Sequence, residues 1–535
     1  MKNTYHRIKQ ISGILVLLLL ILYLGIFAFL NITGYEQHVD SDIAAEALLT
    51  REIWEQKTLT PDDWISSTER RILSMPMMAA PIYGMTGSMQ TAVGIACVLL
   101  GGLFFWCFYF FLRKCGITKQ GALIGLLMIS ALPINGIRNE GQMVPFVTLL
   151  LYLFAEYYVF HCILLFASIL FYLYLKKPRV EQRKNRLFTW GMWFVLFGFT
   201  AVLSLGGQRC FQMVIIPLFV YESISLFIES DGFKNALKKE RYMATAFVGT
   251  SILAGMLSLL YDRDANYAMY LLSPSDVVNK LFLVIPSAVL EGFGISGNVK
   301  LGGFASLMQL LVWAFLILTV YSMIFILRSK ESIGKEQKES LLLLVVSFGV
   351  TAFIIAITTA EAAHNYLMVV WFVAILAVVM VYDRLTEDKS WFAHIILAAI
   401  CVFAVMNLKY TWWPAVSTKD NLTEDKQVAE FLQDENLEYG YAEFWDASRI
   451  SLLTDGEVTM GHSYRMEELG MYWWLTSTSW YPPNLPTDMK TAYVVRQEKK
   501  EAFERQFAQD VQMVLSYENS KYAVYISNKN FVNIP

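Results

Sequence analysis

Three stretches of the chain, Ile11 to Ile32, Thr91 to Leu112 and Trp391 to Leu408, run through mostly apolar residues. At a helical rise of 1.5 Å, runs of about 17 to 22 residues reach across the hydrocarbon core of a bilayer. The first run is not the pattern of a cleaved signal peptide. Its core from Ile14 to Leu30 exceeds the usual apolar region of about 7 to 15 residues, and it ends in Asn31-Ile32-Thr33-Gly34 with no small-residue cleavage pattern.

Apolar runs set against basic clusters predict about eleven spans. Basic loops fall at every second turn: Lys2 to Lys9, Arg113 to Lys119, Lys176 to Arg186, Lys234 to Arg241, Arg328 to Lys338 and Arg384 to Lys389. Because Lys and Arg collect in cytoplasmic loops, the amino terminus is expected inside and the carboxyl terminus outside. The run from Met143 to Leu175, roughly 33 residues, is too long for one untilted span. It fits one span plus a half-helix or surface helix, and the pattern does not choose between them.

Three segments fall outside the membrane in this reading. Residues 35–90 form a first outer loop, acidic and aromatic, in which Ser41 to Gln56 reads as a helix rich in Ala, Leu and Glu. Residues 261–304 mix apolar stretches with Gly292, Gly294, Gly297, Gly302 and Gly303, as expected of a mobile loop grazing the membrane. Residues 409–535 have the size of a soluble domain. Their pattern predicts α/β structure: helices near Glu424 to Gln433 and Lys499 to Phe507, and strands near Tyr439 to Phe444, Val511 to Tyr517 and Ala523 to Ser527. The expected fold class is thus an all-α polytopic membrane domain, residues 1–408, followed by an extracytoplasmic α/β domain. No internal repeat or low-complexity tract interrupts it.

Composition agrees: of 535 residues 56% are apolar and 17% charged, more apolar material than one soluble core can hide. A net charge of −3 points to neither nucleic acid nor a uniformly anionic partner. All six cysteines lie in or beside apolar runs without a CxxC pair, which argues against a disulfide framework or a zinc site.

The unusual polar residues near span ends gather on the expected outer face: Asp40, Asp42, Glu69, Arg70, Arg138, Glu140, Gln208, Arg209, Asp262, Arg263, Asp264, Glu361 and His364. Any one of them is explained by loops being polar. As a set drawn from separate loops they point to a site, because charges at membrane depth are costly and tend to line one.

The first outer loop reads His38-Val39-Asp40-Ser41-Asp42-Ile43-Ala44-Ala45-Glu46-Ala47-Leu48-Leu49-Thr50-Arg51-Glu52-Ile53-Trp54, then Thr60-Pro61-Asp62-Asp63-Trp64. It resembles the start of the polyprenyl-phosphate-sugar-dependent glycosyltransferases of the GT-C superfamily, the group of the protein O-mannosyltransferases and the aminoarabinose transferases. In those an Asp after the first span opens a helix reading roughly Asp-Glu-Ala-x-x-Ala-x-x-Ala-Arg-Glu-Met, followed by a Gly-Asp-Trp turn. Asp42, Ala44, Ala47, Arg51, Glu52 and Asp63-Trp64 match; Ile43 stands where the family has Glu, and Asp62 where it has Gly. The family's later acidic residue has no clear equivalent, with Gln142 near its place and Glu140 two residues earlier. The motif covers about 30 residues.

The resemblance implies an enzyme that moves a sugar from a polyprenyl-phosphate donor, held in the bilayer, to a lipid, wall-polymer or protein acceptor. Such chemistry needs a carboxylate to take the acceptor's proton and cations to hold the phosphate. Asp42 is the expected base, with Asp40 beside it; Arg209, after Gly206-Gly207-Gln208, and Arg138 are the expected phosphate ligands. Arg209 also fits interfacial snorkelling. Glu361-Ala362-Ala363-His364-Asn365-Tyr366 sits where relatives often carry an Arg-Tyr pair, so Glu361, His364 and Tyr366 join Glu69, Glu140 and Gln208 as further candidates, although a non-catalytic histidine is the commoner reading of His364. Asp40-Ser41-Asp42 is also a literal Asp-x-Asp, so a divalent metal ion on Asp40 and Asp42 is a possible cofactor. The aromatic segments Tyr439 to Asp446 and Tyr472 to Trp474 fit an acceptor surface or plain core packing. The sequons at Asn31 and Asn421 read as chance matches. The alternative function is a transporter or flippase of a lipid-linked saccharide, which calls for polar residues deep in the spans and inverted repeats.

Overall fold

The computed structural model describes residues 2–67, 69–70, 72–133, 144–177, 186–228, 242–260, 269–295, 299–329, 333–418, 422–482, 484–486, 488–507 and 513–532. Eight of its helices are long and apolar enough to cross a membrane: Gln10–His38, Met89–Lys114, Arg186–Gly206, Phe211–Ile228, Phe304–Arg328, Lys335–Ile357, His364–Glu387 and Trp391–Ser417. Three shorter apolar helices, Lys119–Ala131, Val159–Leu175 and Tyr242–Gly255, lie beside these eight among the described residues. The protein is a multi-pass membrane protein.

Exposed Leu and Phe on these helices face outward, where lipid is the solvent, while His364–Glu387 is enclosed by its neighbours. Buried side chains bind helices of distant sequence through backbone oxygens: the Tyr23 hydroxyl donates to the Ala404 carbonyl (2.8 Å) and Ser347 Oγ to that of Met213 (2.6 Å). In a medium without water each of these bonds satisfies a polar group that would otherwise be costly to bury.

The long run from Met143 to Leu175 resolves, where described, into a short helix, Phe146–Leu151, and a longer one, Val159–Leu175. The link between them is irregular, with φ of 58° at Phe154 and 49° at Glu156. Asn31 closes the open backbone. Its Nδ2 donates to the Tyr152 carbonyl at 3.1 Å, and its Oδ1 accepts from the Phe154 N–H at 2.9 Å. Broken backbone at this depth survives only inside protein, and both the link and the Asn31 amide are buried. Asn421 lies outside the described residues.

The stretch 261–304, expected as a mobile loop, is helical from Pro274 to Gly292 in its described part. Ser273 caps this helix and Pro274 takes its first position. The Lys280 ammonium collects the carbonyls of Ile355, Thr358 and Ala360 at the end of helix Lys335–Ile357, a cation on a helix carboxyl end.

The C-terminal unit holds a five-stranded sheet in the order β3-β2-β5-β7-β6, from strands Tyr439–Glu443 (β2), Thr459–Ser463 (β3), Thr491–Arg496 (β5), Met513–Glu518 (β6) and Tyr522–Ser527 (β7). β3, β2 and β5 run parallel; β7 and β6 complete the sheet antiparallel. Alternate residues serve opposite faces. Ala442, Val494, Val524 and Ile526 pack with Val428, Leu432 and Ile450 from helices Thr423–Asp434 and Phe444–Leu453. Tyr493 and Tyr525 turn the other way, onto Phe503 of helix Lys500–Phe507. A buried charge network joins this core: Asp446 accepts from Arg449 and Arg496, and the Tyr522 hydroxyl bonds both Asp446 and Asp425.

Candidate active site

Helix Ser41–Gln56 lies where the sequence predicts it, but its cap is Asp40. Asp40 has extended backbone, and its Oδ1 accepts from the Ile43 N–H at 2.9 Å. Asp42, expected to open the helix, is one step inside it, in the first turn. Its side chain lines a cavity of about 330 Å³ whose other walls come from the C-terminal unit: Glu443, Phe444, Trp445, Ser463, Tyr464, Tyr472 and Trp474.

Ala44, Ala45 and Ala47 are fully buried. These small side chains let the helix approach the C-terminal unit, and Ala45 packs with Phe444 and Leu475. Arg51 Nη1 donates to the Gly456 carbonyl at 2.8 Å, and its other terminal nitrogen reaches Glu52 at 3.3 Å. Glu52 Oε2 and Asp63 both accept from the Gln56 amide, at 3.0 and 2.6 Å. Asp63 also accepts from Ser477 Oγ at 2.6 Å, while its carbonyl accepts from the Thr478 N–H at 2.8 Å. Trp64–Ile65 (β1) pairs antiparallel with Thr476–Ser477 (β4), and the Trp64 ring meets Trp480 edge-on at 5.8 Å. Arg51, Glu52, Asp63 and Trp64, read from sequence as family signature, are therefore the dock that holds the Asp42 helix against the C-terminal unit.

Burial works to raise the Asp63 carboxyl, but the hydrogen bonds from Ser477 and Gln56 outweigh it and hold it below the usual carboxylate value. At the next lattice of bonds His462 is wholly enclosed. Its Nδ1 donates to the Trp474 carbonyl at 2.9 Å, so Nε2 carries the lone pair facing Ser448 Oγ at 2.8 Å. Burial pushes the imidazole down to about 4.

A second cluster surrounds Arg209. Its Nε donates to Glu69 Oε1 at 2.6 Å, and the guanidinium lies 4.2 Å from the ring centres of both Tyr158 and Tyr366. The side chain is 11% exposed, so snorkelling does not describe it. No other hydrogen bond to this guanidinium is present among the described residues. The glycines before it have a different use from the expected one. The Arg70 N–H donates to the Gly206 carbonyl at 2.8 Å, and a Cβ on Gly206 would lie 2.8 Å from the Arg70 carbonyl oxygen. At Gly207, with φ of +152°, a Cβ would lie 3.1 Å from Glu69 Cγ. What the glycines admit is the Glu69-Arg70 segment of the first loop. Arg70, one of the outer-face set read from sequence but given no role there, borders both a cavity of about 110 Å³ beside Pro61 and Trp64 and a narrow cleft with His161 and Leu203.

Of the remaining candidates, Gln208 is half-buried beside this cluster and Tyr366 belongs to it. His364 opens the short 3-10 turn His364–Leu367 against Gly292, and Glu361 is exposed near Lys280. Arg138, Glu140, Gln142 and residues 262–264 lie outside the described residues. Among the described residues no three His, Cys, Asp or Glu side chains converge to hold a metal ion. Of the two carboxylates in Asp40-Ser41-Asp42, Asp40 spends Oδ1 as the helix cap.

No protein-family model matches the sequence, and no curated protein matches it either. Solved structures do. The crystal structure of ArnT, the aminoarabinose transferase, from Cupriavidus metallidurans bound to undecaprenyl phosphate superposes with a TM-score of 0.60 at 11% identity, covering 97% of this chain and 99% of that one. The apo form of the same enzyme gives a TM-score of 0.47 at 11% identity and the same coverage. Over nearly its whole length, membrane helices and C-terminal unit together, this chain has the GT-C fold of ArnT.

Proposed function

We propose that the protein is a membrane glycosyltransferase that takes a sugar from a polyprenyl-phosphate donor and attaches it to an acceptor on the outer face of the membrane. The observation that carries the reading is Asp42, a carboxylate at the wall of a cavity shared by the first loop and the C-terminal unit, in a fold whose solved example binds undecaprenyl phosphate. In a direct displacement the acceptor oxygen attacks the anomeric carbon while its proton passes to the Asp42 carboxylate. The bond from that carbon to the phosphate oxygen breaks, and polyprenyl phosphate leaves with the bonding pair. A carboxylate in this role contributes typically 10²–10⁴-fold.

The leaving phosphate gathers negative charge, for which a guanidinium supplies two parallel N–H donors. Glu69 holds the Nε side of Arg209 and two tyrosine rings fix its plane, which supports the remaining edge as the phosphate-facing one. Arg70 is the adjacent cation; Arg138 is the second candidate of the sequence reading.

The test is to incubate the purified full chain with membrane extract and a panel of radiolabelled polyprenyl-phosphate sugars, then follow the label. The expected result is transfer from one donor to an extractable acceptor, lost in Asp42→Asn. Label that remains on every donor sinks the proposal.

A further inference from the structure

We propose, resting on the transferase reading, that the cavity facing Asp42 is the acceptor site and that it takes an uncharged, hydroxyl-rich saccharide in preference to an anionic group. Its place in the fold is the first argument. Glu443 and Ser463 are the last residues of the parallel neighbours β2 and β3 and stand opposite each other in register. The crevice beyond the carboxyl ends of parallel strands is where open α/β sheets bind ligands. Its volume, about 330 Å³, lies at the small end of the range of about 300–1,000 Å³ for small-molecule sites.

The lining gives the chemistry. Trp445 is 56% exposed and Tyr464 60% exposed, although both follow strands whose other residues are mostly buried. Behind them Phe444 and Tyr472 form a fixed backing, with ring centres 5.8 Å apart, and Tyr472 lies 5.9 Å from Tyr464. Rigid rings of this kind offer flat apolar faces to the C–H faces of a sugar while their polar edges stay wet. The polar groups on the walls include the carboxylates of Asp42 and Glu443 and the Ser463 hydroxyl, acceptors for sugar hydroxyls. The nearby cations are engaged: Lys499 with Glu443 at 2.6 Å and Arg465 with Glu468 at 3.2 Å. A phosphate or carboxylate entering here meets the like charge of Asp42, with Glu443 already paired to Lys499, whereas a hydroxyl gains charge-assisted hydrogen bonds.

The experiment is saturation-transfer NMR on the detergent-solubilised full chain, with maltotriose, mannotriose and chitotriose as neutral probes and glucose 6-phosphate and mannose 6-phosphate as charged ones. We expect saturation on the ring protons of at least one neutral probe, at least fivefold stronger than on either phosphate. That signal should fall at least fivefold in Trp445→Ala and in Tyr464→Ser, two mostly exposed positions whose replacement leaves the thermal transition in place. Equal or stronger signals from the sugar phosphates, silence from all three neutral probes, or unchanged signals in both variants would overturn the proposal. The two readings fail separately. If donor label moves but no saccharide binds, the transferase stands and this site falls; if saccharides bind but label never moves, the site stands and the transferase falls.

Discussion

At the residue scale, the amino end of helix Ser41–Gln56 gives neighbouring carboxylates different work because one residue lies outside the helix and the other inside. Asp40 spends Oδ1 on the Ile43 N–H, a cap worth about 0.5–2 kcal/mol against Ala. Asp42 looks into the cavity. Asn caps nearly as well as Asp but accepts no proton at neutral pH, so it separates the two roles. We expect Asp42→Asn to lower turnover at least about a hundredfold with an unchanged thermal transition. Asp40→Asn should stay within a few-fold of wild type, and Asp40→Ala should lose stability before activity. Full turnover in Asp42→Asn removes the base assignment. For Arg209, Lys keeps the charge but not the planar fork between Tyr158 and Tyr366. The expected outcome for Arg209→Lys is normal expression with a loss of at least tenfold in kcat/KM for the donor; wild-type kinetics would make the Glu69–Arg209 pair a packing device only.

At the element scale, the dock between the first loop and the C-terminal unit turns on short polar bonds around Asp63. Asp63→Ala removes the acceptor of both Ser477 and Gln56. It should therefore raise hydrogen exchange in Trp64–Ile65 and Thr476–Ser477 while leaving strands β5 and β7 protected; identical exchange in wild type and Asp63→Ala would show that the dock does not depend on it. His462 adds a pH window. Its folded value, about 4, lies below the ordinary 6.5, so the unfolded state binds the extra proton first. Its stabilising contribution is complete above pH 6.5 and falls as pH drops toward 4, by at most about 1.4 kcal/mol per pH unit. Protection of β3 and helix Phe444–Leu453 should decline between pH 7 and 5 once corrected for intrinsic exchange, and His462→Gln should flatten that slope. These elements also mark the limit of sequence reading. Helix Ser41–Gln56, helix Thr423–Asp434 and strand β7 carry strong local patterns and were legible. Helix Phe444–Leu453, β3 and β5 were not: β3 contains Gly461 and His462 amid polar residues, and only burial between other elements makes it a strand. The Glu69–Arg209 pair spans 140 positions in sequence, and no local pattern signals so distant a partner.

At the scale of the whole molecule, the first loop and the C-terminal unit sit on one side of the helix bundle, since Arg51, Asp63 and Met89 all bond residues between Gly456 and Ser477 or just before them. One topology therefore fixes the side of the Asp42 cavity and of the sheet together. Basic residues cluster at the opposite helix ends, among them Arg113, Lys114, Arg328 and Arg384 in the last turns of their helices, and the positive-inside rule puts those ends in the cytoplasm. We expect the cavity and the sheet to face outward. Cysteine labelling decides it cleanly because all six native thiols are free and five of them are buried, which keeps the background low. A membrane-impermeant maleimide applied to intact cells should label Ser516→Cys, on the exposed edge strand β6, and should reach Glu387→Cys, at the basic end of helix His364–Glu387, only after the membrane is opened. The reversed pattern would place the cavity in the cytoplasm, where nucleotide sugars are at hand, and the case for a lipid-linked donor at Asp42 would fall with the orientation.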